Sequence, residues 1–265
     1  MRRSVHAEWT KLRTVPGNLW TMLALAVLLV AVTALVTTGT EVPTCQPQST
    51  GCKAKDTTAL ALSGVYFGQL AVILLGVAAM SSEYRPKMIS TTLAANPRRA
   101  TVFAAKATVV TVAALAVAIP GVLGSLLAGR AILAGRGFTA AAGHAQQALT
   151  DGPLQRAAIG SVLYLLLVGL LSVGVAAVVR QAGSAIGAVT TLLYGSYLFT
   201  LIVPMSTHTL HLVQRYTPMT AGLAVQTTAG SGSAPMSPGA GLAVLAAYAS
   251  VALALGCALL QRRDA

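Results

Sequence analysis

Residues Ala157–Val179 read AAIGSVLYLLLVGLLSVGVAAVV, a run without a single formal charge. A helix on the surface of a water-soluble domain would show a polar face at the 3.6-residue period, and this run has none. It has instead the roughly 20 apolar residues that an α-helix needs to cross a hydrocarbon core about 30 Å thick. In lipid every backbone N–H and C=O must be satisfied within the segment, so helix is the conformation such a run imposes.

Five further runs of the same character surround it, and the expected spans are 17–38, 58–82, 102–129, 156–180, 183–204 and 239–260. The limits of the fifth and sixth come from punctuation, because Arg215 is the only formal charge between Gln181 and Gln261. Pro204 and the Gly/Ser/Pro cluster from Ala229 to Gly241 divide that stretch into two spans and a loop. Composition agrees: of 265 residues, 55% are apolar and 9% charged, against about 25% charged in soluble domains. The sequence predicts an all-α membrane protein with six transmembrane helices, forming one domain over residues 1–265.

The few charges are unbalanced, with 18 Lys and Arg against 6 Asp and Glu and a net charge of +12. A basic excess can serve nucleic acid, an anionic membrane surface or oriented insertion, and its distribution decides between them. Arg2, Arg3, Lys11, Arg13, Arg85, Lys87, Arg98, Arg99, Lys106, Arg180, Arg262 and Arg263 fall on the side of the termini. Only Lys53, Lys55, Arg130, Arg136, Arg156 and Arg215 fall on the other. The positive-inside rule then predicts a multi-pass cell-membrane protein with both termini cytoplasmic. Spread over separate loops without interleaved aromatics, the charge does not suit nucleic acid.

The first span follows a basic segment and has full spanning length without a small-residue cleavage pattern, so it reads as retained. Before it, Val5, Trp9 and Leu12 recur at helical spacing among basic residues, which predicts a short interfacial helix on anionic lipid. Pro16 and Gly17 break that helix and Asn18 is placed to cap the next. Cys45 and Cys52 share the first external loop, where an oxidising compartment permits a disulfide and two free thiols are the alternative.

Between the second and third spans lies Ser81-Ser82-Glu83-Tyr84-Arg85-Pro86-Lys87-Met88-Ile89-Ser90-Thr91-Thr92-Leu93-Ala94-Ala95-Asn96-Pro97-Arg98-Arg99. Pro86 suits a first helical turn and Pro97 stops a helix before it, so a short helix is bracketed between them. Its apolar side, Met88, Ile89, Thr92 and Leu93, can dock a cytoplasmic partner or pack on the chain's own helix ends.

The run Glu83-Tyr84-Arg85, then Leu93, Pro97-Arg98-Arg99 and Lys106, resembles the signature of type-2 ABC exporter permeases. Glu8-Trp9-Thr10-Lys11-Leu12-Arg13, Tyr216-Thr217-Pro218 and Arg262-Arg263-Asp264 are similar in order and spacing to the same family, so the resemblance covers the whole chain. Pro86-Lys87 departs from it, standing where many relatives have a small residue followed by Gly. The resemblance implies the membrane subunit of a bacterial ABC exporter, paired with a second copy or a paralogue and energised by a separate ABC ATPase subunit. ATP and magnesium would be held by that ATPase, with no cofactor in this chain. The bracketed helix would then be the coupling helix, with Glu83, Tyr84, Arg85, Met88, Ile89 and Leu93 as the ATPase-coupling residues. The substrate, moved outward, would be hydrophobic or amphipathic.

What the residues exclude is consistent with this. No Asp, Glu, Lys or Arg lies in any of the six apolar cores (19–36, 57–82, 107–129, 157–179, 181–204 and 239–260), whereas ion-coupled carriers commonly place such residues at mid-membrane. No Gly-x-x-x-x-Gly-Lys-Ser/Thr loop is present for nucleotide phosphates. The acidic residues lie outside the cores, leaving no carboxylates for intramembrane acid/base chemistry, and the chain does not read as an enzyme. His208 and His211 lack a nearby third partner for a metal. The rival readings are a non-transporting immunity or sensor protein and a secondary carrier using backbone-bound Na+.

Within the spans, Gly64-x-x-x-Gly68 and Gly183-x-x-x-Gly187 are small-residue pairs expected to serve packing inside the subunit, or else a dimer seam. Pro120-Gly121 predicts a bend in the third span. Tyr66, Gln69, Tyr194 and Tyr197 are polar side chains expected chiefly in packing and otherwise along a route. Leu210, Val213, Leu223 and Val225 have helix-like spacing in the last external loop, which by itself reads only as an interfacial loop; the segment resembles the short external helices that cap the exit side in this family, with Tyr216 and Pro218 marking the corner.

Overall fold

A helix in lipid has to close its own hydrogen bonds, and among the described residues every regular element is helical. The computed structural model describes residues 16–40, 56–81, 99–138, 151–228 and 236–262. In chain order the elements are α1 (Pro16–Gly39), α2 (Thr57–Ala61), α3 (Gly64–Ser81), α4 (Arg99–Gly135), α5 (Gly152–Val179) and α6 (Ala182–Thr190). A π-helical turn (Thr191–Gly195) joins α6 to α7 (Ser196–Ile202). Then come α8 (Thr207–Tyr216), α9 (Pro218–Leu223), a 3-10 turn (Ala224–Gln226) and α10 (Pro238–Arg262). Six helical stretches, α1, α3, α4, α5, α6 with α7, and α10, are long and apolar enough to cross a membrane. The chain is a multi-pass membrane protein.

The expected spans are all present, with changes at their ends that have local causes. α1 starts at Pro16, which has no N–H to leave unsatisfied in a first turn, so Asn18 lies inside the helix instead of capping it. The second span is interrupted: Leu62 and Ser63 form a turn between α2 and α3. α4 is longer than expected, with 37 residues or about 55 Å of helix, and it runs unbroken through Pro120. Between α5 and α6 the chain reverses within two residues, with Arg180 in the left-handed conformation (φ 61°) and its amide bonded to the Ala176 carbonyl at 2.9 Å. The expected N-terminal interfacial helix and the expected coupling helix between the second and third spans fall outside the described residues.

α5 is the centre of the bundle and packs against α3, α4, α6 and α10. These contacts are close because small residues sit at the crossings, the arrangement expected where lipid offers no hydrophobic drive between helices. A Cβ on Gly76 would stand 2.7 Å from the Gly169 carbonyl oxygen, and one on Gly256 would stand 2.9 Å from that of Gly174. α1 lies outside this core, in the groove between α3 and α4. Leu29 is its anchor: it is 1% exposed, and Gly64, Gly68 and Gly121 all leave room for it. The pair Gly64 and Gly68 therefore serves packing within the subunit. Gly183 and Gly187 have no neighbour within 4 Å of a Cβ position. Large apolar side chains such as Trp20, Leu35, Phe199, Ile202 and Leu255 are exposed on the outer faces, where acyl chains would cover them.

One end of the bundle carries the last residues of α3, the first of α4 and the last of α10, with Phe103 next to Gly256. Here Lys106 is buried, at 3% exposure, and its Nζ donates to the Ala79 carbonyl at 3.3 Å. Ala79 lies in the last turn of α3, where carbonyls lack intrahelical partners and the helix dipole favours a cation.

Candidate functional site

Polar side chains are costly in an apolar core unless they find each other, and this bundle gathers several of them around α5. Gln69 on α3 and Tyr164 on α5 are both completely buried. The Tyr164 hydroxyl donates to Gln69 Oε1, and Gln69 Nε2 donates to the Met219 sulfur at 3.5 Å. Met219 belongs to α9, so the cluster ties two spans to the segment that follows the fifth. Further along α5, Ser161 accepts from Gln226 Nε2 at 3.1 Å and donates to the Ala157 carbonyl at 2.8 Å.

α9 reaches this depth because of its sequence. Thr217 ends α8 in extended conformation and Pro218 opens α9, a position that its fixed φ suits. Pro218, Met219, Ala221, Gly222 and Leu223 are all buried. A Cβ on Gly222 would stand 2.6 Å from the Tyr164 ring, and one on Gly241 would overlap the Ala221 carbonyl oxygen. By contrast α8 has no buried residue. With Leu212, His208, His211 and Arg215 exposed, it has the amphipathic character of a helix lying in the interface. The loop expected after the fifth span is thus half exposed amphipathic helix and half plug buried against α5 and α10.

The π turn contributes a third tie. A wider turn offsets the side chains that follow it, and Tyr194 within it donates from its hydroxyl to the Tyr66 carbonyl on α3. Tyr66, Gln69 and Tyr194 come together as sequence-selected polar residues, Tyr66 through its backbone. Tyr197 is half-buried beside the core. Tyr164, Met219, Ser161 and Gln226 were not singled out by sequence. Tyr164 had a usable signal, a polar tip in the middle of an otherwise apolar run, whereas nothing in the sequence marks Met219. Gln69, Tyr164, Ser161 and Gln226 are buried while Tyr66 and Tyr194 are partly so, and their bonds hold the helices together.

At the end of the bundle opposite the termini, Asp56 caps α2 by accepting from the amides of Thr58 at 3.0 Å and Ala59 at 3.2 Å. The same carboxylate receives the Thr228 amide at 2.5 Å and the Thr228 hydroxyl at 2.9 Å. Arg156 Nη2 donates to the Thr227 carbonyl at 3.0 Å. The chain leaving the plug is therefore fastened to both α2 and α5.

The residues expected to couple to an ATPase, Glu83, Tyr84, Arg85, Met88, Ile89 and Leu93, lie outside the described residues, as do Cys45 and Cys52. Among the described residues there is no group of three His, Cys, Asp or Glu side chains placed to share a metal. No protein-family model and no curated protein matches this chain.

Proposed function

We propose that the chain is the membrane-spanning permease subunit of a bacterial ATP-driven exporter. It forms half of a dimeric pathway for a hydrophobic or amphipathic substrate and is energised by a separate ABC ATPase. The carrying observation is the ordered resemblance from Glu8-Trp9-Thr10 through Glu83-Tyr84-Arg85 and Tyr216-Thr217-Pro218 to Arg262-Arg263. Its setting supports the reading. Tyr216-Thr217-Pro218 forms the corner at which an interfacial helix turns into a buried plug, and α3 and α4 end and begin beside the C-terminal end of α10. Placing that end in the cytoplasm follows from the positive-inside rule. ATP-driven closure of the ATPase would then move the segment containing Met88, Ile89 and Leu93, with Glu83 and Arg85 transmitting the movement to α3 and α4.

Affinity purification in mild detergent tests the assignment. Stoichiometric recovery of a Walker-motif ATPase is the expected result, and its reproducible absence would favour an immunity or sensor protein. With the complex in hand, Glu83→Ala and Leu93→Asp should each cut transport-linked ATP hydrolysis while membrane insertion is retained. Full activity in both variants overturns the coupling role of the loop.

A further inference from the structure

His208, His211 and Arg215 are spaced i, i+3 and i+7 along α8, which puts them on one side of the helix. All three are exposed, and their side chains make no bond to another described residue. Leu212 and Tyr216, four residues apart, form an apolar stripe beside them at 43% and 61% exposure. Leu210, Val213 and Gln214 are half-buried and turn the remaining side toward the bundle. α8 packs against α7 and α9. Neither of these carries Asp, Glu, Lys or Arg, and the titratable group they bring is Tyr197. Tyr248 of α10 also reaches α8, donating to the Tyr216 carbonyl at 3.3 Å.

That last bond sets the level of the helix. Tyr248 stands ten residues into α10, about 15 Å from its Pro238 end, so the last turn of α8 lies alongside an apolar span and not above it. At its other end α8 follows Ile202 and Val203, exposed apolar residues that close the fifth span. An amphipathic helix at this level meets headgroups with its basic side and acyl chains with its apolar side.

We propose that this face of α8 binds anionic phospholipid headgroups of the leaflet opposite the termini. Arg215 presents a charged planar fork to phosphate oxygens, His208 and His211 add donors beside it, and Leu212 and Tyr216 rest on acyl chains. Histidine takes up a proton as the pH falls from 8 to 5, so acidification strengthens the face. Charge selects lipid over a second copy of the chain, because two such faces brought together by a twofold axis would oppose cations with no carboxylate on α7, α8 or α9 to receive them. The proposal does not rest on an ATPase partner.

The full chain is reconstituted in phosphatidylcholine vesicles holding a trace of phosphatidylglycerol or of phosphatidylcholine, each with the same photoreactive group near the glycerol backbone, and labelling of peptide 207–216 is quantified. At pH 7.5 the wild type should be labelled about fivefold more by the phosphatidylglycerol probe, the factor expected of one basic residue near an anionic leaflet, and the excess should rise at pH 5.5. Arg215→Gln should lose most of the excess at pH 7.5, and Arg215→Lys should keep part of it. The double variant His208→Gln, His211→Gln should keep the excess at pH 7.5 and lose the rise at pH 5.5. Equal labelling of the wild type by both probes overturns the recognition of charge, and absence of labelling by either probe overturns lipid as the occupant. An excess unchanged in Arg215→Gln, with a pH response unchanged in the double variant, overturns the roles given to these side chains.

Discussion

The amide of Gly64 donates to the hydroxyl of Thr33 at 3.0 Å, joining the second span to the first. The amide is available because the helix is interrupted just before it: Ser63 and Val65 bond back to the Leu60 and Leu62 carbonyls at 3.2 and 3.0 Å, in three-residue turns. The first amides of a helix have no partner within it, and Thr33 supplies one from another span. Thr33 is completely buried, so no water competes for the bond.

Replacing Thr33 by Val keeps the shape and removes the acceptor. An amide left unsatisfied in a buried site costs about 1–3 kcal/mol, and the loss should appear as a lower thermal midpoint in detergent. Hydrogen exchange at Gly64 should accelerate in the same variant, whereas unchanged exchange there would mean that the amide has found another acceptor.

The two glycine pairs should respond in opposite ways. Gly64→Val would drive a side chain into the Leu29 carbonyl and Thr33, and overpacking of this kind costs about 1–3 kcal/mol or more. Gly183→Ala meets nothing within 4 Å in the chain, so the isolated subunit should keep its stability within about 0.5 kcal/mol. Thermal unfolding of both variants checks the contrast.

Removing the Tyr164 hydroxyl with Tyr164→Phe strands Gln69 Oε1, while Gln69→Leu strands the hydroxyl. Single hydrogen bonds inside membrane proteins average about 0.6 kcal/mol in double-mutant cycles, with about 1.7 as the upper end. The double variant should therefore be less destabilised than the sum of the single ones, by about 0.5–1.5 kcal/mol. Strict additivity in a denaturation series would show that the two groups do not act together.

Asp56→Ala removes a helix cap and the tie to Thr228 at once. Cap loss alone costs about 0.5–2 kcal/mol, and the loosened tie should show as faster hydrogen exchange at Thr228 and in α9. Asp56→Asn retains acceptor capacity for part of this network and should lie between the wild type and Ala. Exchange in α9 that matches the wild type in Asp56→Ala would separate the plug from its fastening.

Several features were legible before any coordinates. The corner at Tyr216 and Pro218 followed from the family resemblance, and the start of the sixth span from the Gly/Ser/Pro cluster that precedes its apolar run. Gln69 and Tyr194 stood out as polar residues within apolar spans. The break at Leu62 and Ser63 was not legible, since TTALALSG reads as continuous apolar helix and the alternative depends on Thr33, thirty residues earlier. The burial of α9 was equally hidden, because Met219, Ala221 and Leu223 would suit an interfacial helix as well as a plug.

By itself the sequence determined which segments cross the membrane, because hydrocarbon excludes water from the backbone and a long enough apolar run must answer with its own helical hydrogen bonds. That requirement is local and needs no knowledge of neighbours. Only the tertiary structure decided which polar groups meet, where a span is interrupted and which loop turns back into the bundle. Those outcomes depend on close approach at Gly64, Gly222 and Gly241 and on bonds between distant positions such as Gln69 and Met219, which packing creates and no stretch of sequence contains.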